Sequence, residues 1–240
     1  NISHLKKKYR GSDVWAVNDL SLEVKEGEIY GFLGPNGAGK STTMNMITGC
    51  ISATDGQVLI DGHDIFDDPI AAKRCIGYLP EIPPLYPDFS VREYVKFVCE
   101  LKGVKKSGIS TETQRVIEKA DIADVADRLI KTLSKGYRQR VGLAQALVGD
   151  PEIIILDEPS IGLDPKQIIQ MRELIRSLGR EHTVILSSHI LSEVSEVCDH
   201  ILIIKKGKLV GNGTPQELAA MMQTGTTLSI QARGDLERAK

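Results

Sequence analysis

Three observations predict an α/β fold with a mainly parallel sheet. Runs that are apolar throughout, such as Ile153 to Leu156 and Ile201 to Ile204, have the length of strands buried on both faces. They alternate with stretches whose apolar residues keep helical spacing, the strand-and-helix order from which parallel sheets are built. Between the strand Glu28 to Leu33 and the helix Ser41 to Thr48 stands Gly34-Pro35-Asn36-Gly37-Ala38-Gly39-Lys40-Ser41-Thr42. It fits G-x-x-x-x-G-K-[ST], a loop that wraps polyphosphate where a strand turns into a helix.

Bulk properties agree with a soluble globular chain. Of 240 residues 41% are hydrophobic and 26% charged, enough for one large core or two modest lobes. A net charge of −2 argues against a dominant nucleic-acid surface. The densest basic run, Lys6-Lys7-Lys8, is short and reads as a solvated strand end. No apolar run approaches the ~20 residues that span a bilayer, and no signal-peptide pattern is visible. Cys50, Cys75, Cys99 and Cys198 form no C-x-x-C pair and stand in apolar surroundings, so they read as reduced core thiols of a cytosolic compartment.

Taken in order, His4 to Tyr9 and Val14 to Val24 are predicted edge or hairpin strands, joined by the turn Gly11-Ser12-Asp13. Leu20, Leu22 and Val24 alternate with Ser21, Glu23 and Lys25, as in a half-buried strand. After the phosphate loop and its helix come short strands at Gln57 to Ile60 and Ile76 to Leu79. Pro83, Pro84 and Pro87 then interrupt regular structure. Ser90 can cap a helix with Val91, Tyr94, Val95, Val98 and Leu101 on its apolar face. Helices near Glu112 to Ala120 and Lys135 to Val148 follow, so residues 82–150 read as a helical lobe inserted into the α/β core. The alternation resumes with a strand at Glu152 to Leu156, a helix at Lys166 to Leu178 and a strand at Thr183 to Ser187. A helix at Ile190 to Val197, a strand at Ile201 to Lys205 and a last helix at Pro215 to Met222 complete it. The tail 223–240, with a predicted strand at Thr227 to Gln231, looks like the start of a C-terminal extension.

The loop's chemistry follows from its residues. Gly34, Gly37 and Gly39 are expected to make room for phosphate and to allow positive φ. Lys40 would reach the β- and γ-phosphates and the Ser41 hydroxyl would hold Mg²⁺. Pro35, Asn36, Ala38 and Thr42 complete the wrap. At the end of the strand Ile153 to Leu156, Asp157 is placed to hold Mg²⁺, and Glu158 to polarise a water for attack on the γ-phosphate. Ser134, before a helix, reads as an N-cap, and a helix N-terminus is also a ready anion site.

Leu133-Ser134-Lys135-Gly136-Tyr137 resembles the L-S-G-G-Q signature of ATP-binding cassette (ABC) ATPases, with Lys135 in place of the first glycine and Tyr137 in place of Gln. Ser160-Ile161-Gly162-Leu163-Asp164-Pro165 resembles the D-loop, and Ser187-Ser188-His189 the switch histidine that contacts the γ-phosphate. Tyr9 resembles the aromatic that stacks on adenine, with a plain surface or core tyrosine as the other reading. Glu81 stands at the Q-loop position, where most members carry Gln, and could bind Mg²⁺ or water. The resemblance covers about residues 1–222 and is nearest to the ABC-2-type exporters.

It implies a P-loop NTPase: a RecA-like core, an N-terminal antiparallel β subdomain and the inserted helical subdomain. It further implies an ATPase subunit binding ATP and Mg²⁺, paired head to tail with a second such domain. Ser134 and Gly136 of one copy then close over the ATP of the other. A separate integral membrane permease would be the partner, docked near Leu85 to Val98, with export as the direction. The chain would be cytoplasmic, peripheral on the inner face of the cell membrane. Leu85, Tyr86 and Phe89 are either partner anchors or ordinary lobe core. The competing function is a soluble ABC ATPase acting on nucleic acid or the ribosome. A GTPase is disfavoured because no N-K-x-D stretch appears.

Overall fold

A computed structural model describes residues 1–223; the expected strand Thr227 to Gln231 and the tail beyond Gln223 lie outside the described residues. The main sheet has six strands in the order β10-β9-β3-β8-β7-β6. These are β3 (Ile29–Leu33), β6 (Ile76–Leu79), β7 (Ile153–Asp157), β8 (Thr183–Ser188), β9 (His200–Lys205) and β10 (Lys208–Gly213). All neighbours pair in parallel except β10, which returns antiparallel along β9 at the edge. A second, antiparallel sheet has the order β2-β1-β4-β5: β1 (Ile2–Lys8), β2 (Trp15–Leu22), β4 (Asp55–Ile60) and β5 (His63–Asp64). The helices are α1 (Lys40–Ile47), α2 (Pro69–Arg74), α3 (Val91–Leu101), α4 (Ile109–Lys119), α5 (Lys135–Leu147), α6 (Pro165–Leu178), α7 (Leu191–Val197) and α8 (Pro215–Gln223).

The strands are apolar on both faces because both are covered. Ile155, Ile185, Leu202 and Ile204 face one core with Met44 and Met46 of α1 and Leu5, Val17 and Leu20 of the antiparallel sheet. Ile154, Leu156, Val184 and Leu186 face another, shared with Val95 of α3, Ile117 of α4, Leu143 of α5 and Met171 of α6. Residues between β6 and β7 form helices and turns, save for one isolated bridge, Ser90 to Leu129. α3 starts at a full capping box: Ser90 accepts from the Glu93 N–H, and the Glu93 carboxylate accepts from the Ser90 N–H.

Several expectations change. Leu101 ends the α3 stripe yet is 70% exposed, because the last turn rotates off the lobe core. Cys50 is exposed and Cys75 half-buried, leaving only Cys99 and Cys198 as core thiols. Neighbouring apolar residues in sequence did not mean apolar neighbours in space. β5, α2 and β10 were not foreseen. β5 is two residues long, α2 is a six-residue helix of low polarity contrast, and β10 carries Gly211 and Asn212, which read as turn residues.

Candidate nucleotide site

The site is built where β3 ends and α1 begins. Gly39 is the N-cap of α1 at φ 109°, and no side chain caps the helix and no acidic residue occupies its first turn. The N–H groups of that turn are therefore left for a ligand, and the helix end favours an anion. The three glycines serve different ends. At Gly37, φ is +77° and a Cβ would meet nothing, so this position needs only conformational freedom. A Cβ at Gly39 would lie 2.5 Å from the Ala16 carbonyl oxygen. One at Gly34, whose φ is not positive, would collide with the Ile204 carbonyl. Two of the glycines thus answer to backbone packed behind the loop, where the sequence suggested only phosphate in front of it.

Lys40 is buried, and its ammonium donates to the Gly34 carbonyl at 2.7 Å. It also pairs with the Glu158 carboxylate at 3.2 Å. The other Glu158 oxygen meets His189 Nδ1 at 3.0 Å. Asp157 accepts hydrogen bonds from Ser41 Oγ at 3.3 Å and from Ser187 Oγ at 2.5 Å, while Ser187 Oγ accepts from the Glu158 N–H. Parallel pairing of Asp157 with Ser187 sets these groups side by side at the C-terminal ends of β7 and β8. Glu158 leaves β7 at φ 48°, a left-handed turn that aims its side chain back over the loop.

Lys40, Ser41 and Glu158 open on a cavity of about 470 Å³, lined also by Ala16, Asn36, Gly37, Gly39, Thr42, Glu81 and Ile161, while Asp157 and His189 stand behind Ser41 and Glu158. Glu81 belongs to it through the end of β6, and its carbonyl accepts from Gln139 Nε2 at 3.3 Å. Tyr9 is 46% exposed beside the loop, with its hydroxyl 3.3 Å from Thr42 Oγ1 and the Lys7 ammonium over its ring. Ser134 and Gly136 are not among the lining residues. Ser134 caps α5 by accepting from the Tyr137 N–H. Gly136 is buried and its bare Cα admits the Gln167 side chain, since a Cβ would lie 2.7 Å from Gln167 Cδ. Ser41 and Asp157 present hard oxygen donors to one point, a donor set suited to Mg²⁺.

Two supporting residues escaped sequence reasoning. Ser187 ties Asp157 to the Glu158 backbone, and its signal was present in the Ser-Ser-His run but was read only for His189. Glu193 is a buried carboxylate in α7 that accepts from Ser160 Oγ at 2.7 Å and Ser188 Oγ at 2.9 Å, joining the segments after Glu158 and before His189. A lone Glu on a short helix carries no signal of this role.

A glycine-rich loop on a helix N-terminus, a lysine for phosphate and paired acids at the end of β7 define the site of a P-loop nucleoside triphosphatase. The family model described as ABC transporter matches residues 17–161. The chain is 42% identical over 212 residues to the ABC transporter ATP-binding protein YhcH of Bacillus subtilis, covering 87% of this chain and 68% of that one. It is 42% identical over 197 residues to the bacitracin transport ATP-binding protein BcrA of Bacillus licheniformis, covering 81% of this chain and 63% of that one. Among solved structures, the ATP-binding cassette MJ0796, captured as a dimer in a post-hydrolysis state with ADP and Pi, superimposes with a TM-score of 0.80. Its identity is 25%, with 89% of this chain and 97% of that one covered. The chain belongs to the ABC transporter family, as an ATP-binding cassette ATPase. It spans about two thirds of the length of these curated relatives.

Proposed function

We propose that this chain is the ATP-hydrolysing subunit of an ABC exporter, powering a membrane permease carried on a separate polypeptide. The observation that carries the reading is that Lys40, Ser41 and Glu158 line one cavity, with Asp157 bonded to Ser41 and His189 to Glu158. Export is supported by the likeness, 36% identity over 216 residues, to a Nod factor export ATP-binding protein of Burkholderia orbicola. We take residues 1–222 as the cassette, 82–150 as its helical lobe and the tail from 223 as the start of an extension.

In this reading the loop N–H groups and Lys40 bind the β- and γ-phosphates, and Tyr9 borders the adenine. Ser41 and Asp157 would hold Mg²⁺, with Glu81 at the cavity edge as a further oxygen donor. When bound, the ion neutralises charge on the phosphate oxygens. Glu158 accepts the proton of the attacking water, and His189 holds the carboxylate at 3.0 Å and meets the γ-phosphate. Ser134 and Gly136 lie outside the chain's own cavity and serve the ATP of a second copy, packed head to tail. The permease docks on the helical lobe, where Ile82, Tyr86 and Phe89 are exposed and the Tyr86 ring meets Phe89 and Phe97 at a tilt and Tyr94 edge-on. No helix among the described residues is long and apolar enough to cross a membrane. In this reading attachment is through the permease, at the cytoplasmic face.

The test is the Glu158→Gln variant, assayed for phosphate release and for binding of a fluorescent ATP analogue. Turnover is expected to fall roughly 10²-fold or more with binding retained. Near-normal turnover would remove Glu158 as the base. Pull-down of the full protein should bring a polytopic membrane protein, and nucleic acid in its place would overturn the transport reading.

A further inference from the structure

Glu193 is a carboxylate only 7% exposed, in the first turn of α7. A buried carboxylate usually takes a cation, because leaving water without one is costly. Among the described residues Glu193 has no ion pair. It has instead two hydroxyls donating to one oxygen, Oε2: Ser160 Oγ at 2.7 Å and Ser188 Oγ at 2.9 Å. Ser188 Oγ also accepts from the Ile190 N–H at 3.1 Å, so its single proton is left for Glu193.

These contacts close a ring. Ser160 stands two residues after Glu158 and Ser188 immediately before His189. Opposite Glu193 in that ring, Glu158 meets His189 Nδ1 at 3.0 Å. Both members of that pair need holding. Glu158 has φ 48°, a conformation that persists only where its surroundings impose it. The His189 side chain is 38% exposed, so packing alone does not fix its ring. Resting on the reading of Glu158 as base and His189 as its partner, we propose that Glu193 is a positioning residue for ATP hydrolysis. Through the two serines it fixes the segment after Glu158 against the segment before His189, and so sets the contact between the pair. Glu193 is not among the cavity-lining residues and transfers no proton; its part is to accept two hydrogen bonds. Misplacing a catalytic group by about 1 Å costs roughly 10²-fold in rate, so a clamp of this kind acts on turnover more than on binding.

The experiment measures phosphate release by the full chain over a range of ATP concentrations, with binding of a fluorescent ATP analogue alongside. Glu193→Ala is expected to lower kcat about tenfold or more, with KM and analogue binding within about threefold of the parent. Glu193→Gln keeps an oxygen that can accept from both serines and should restore kcat to within about threefold of the parent. Adding Ser160→Ala and Ser188→Ala to Glu193→Ala should cost less than about twofold more, because the three residues act as one unit. If Glu193→Ala does not fold, the double Ser160→Ala, Ser188→Ala variant removes the same two bonds and is expected to show the same fall in kcat. Parent-like kcat in Glu193→Ala or in the double serine variant, beside an inactive Glu158→Gln, would overturn the role of Glu193 alone. So would a Glu193→Gln form as slow as Glu193→Ala, or losses at the serines that multiply with the loss at Glu193. Near-normal turnover in Glu158→Gln would instead remove the reading on which the proposal rests.

Discussion

Lys40 and Glu158 are buried together at 3.2 Å, which makes each the other's counterion. Lys40→Ala leaves the Glu158 carboxylate with His189 alone, and removing one member of a buried pair costs about 3–5 kcal/mol. The expected result in urea unfolding is a loss near ~3 kcal/mol, falling to about 1 in the Lys40→Ala, Glu158→Gln double variant, where no buried charge is stranded. At the same scale, Gly39→Ala meets the Ala16 carbonyl as well as a positive φ, whereas Gly37→Ala meets only φ. Gly39→Ala should lower Tm well below Gly37→Ala, whose cost is about 1 kcal/mol. The candidate site residues were legible as a group because their types and spacing leave little freedom. The carbonyls behind Gly34 and Gly39 were not, because Ile204 and Ala16 approach from distant strands.

Among elements, α5 shows how a motif helix is held in the lobe. Its C-terminal carbonyls, Ala146 at 3.2 Å and Val148 at 2.8 Å, accept from the Lys102 ammonium at the end of α3. The Lys102 stem is exposed, but its ammonium is tucked against those carbonyls, and desolvation pushes its pKa from 10.5 down to about 8. Glu112 and Cys99 nearby push it up and are outweighed. Because the folded value lies below the unfolded one, the unfolded chain binds more protons between about pH 8 and 10.5, and stability from this group rises with pH across that window. Chemical denaturation at pH 8 and pH 10 should show this rise in the parent, and Lys102→Met should remove it. The long amphipathic helices were readable from periodicity and caps. The Lys102 clasp was not, since Lys102 and Val148 are 46 residues apart and neither belongs to a pattern.

For the whole molecule, alternation of apolar runs and helices was enough to foresee a mainly parallel sheet, but not the order β10-β9-β3-β8-β7-β6, which depends on crossovers no local pattern encodes. The lobe's outer face is where function meets surface. Ile82 is 82% exposed, Tyr86 and Phe89 of the same segment are exposed too, and none of the three lines the nucleotide cavity. Ile82→Asp combined with Tyr86→Asp should leave ATP binding by the purified chain unchanged. The amount of membrane partner recovered with it is expected to fall more than ~10-fold, the effect of losing central anchors in an interface. Equal recovery would place the docking surface elsewhere.

One arrangement already described works as an interlock. In the proposed reading, the ammonium that would bind the phosphates is the one now paired with the carboxylate that would activate water. An incoming triphosphate would then compete with Glu158 for Lys40, so the substrate would release the base by the act of arriving. Fuel and trigger would thereby be the same molecule, and the cassette could not be armed by anything that fails to draw Lys40 away.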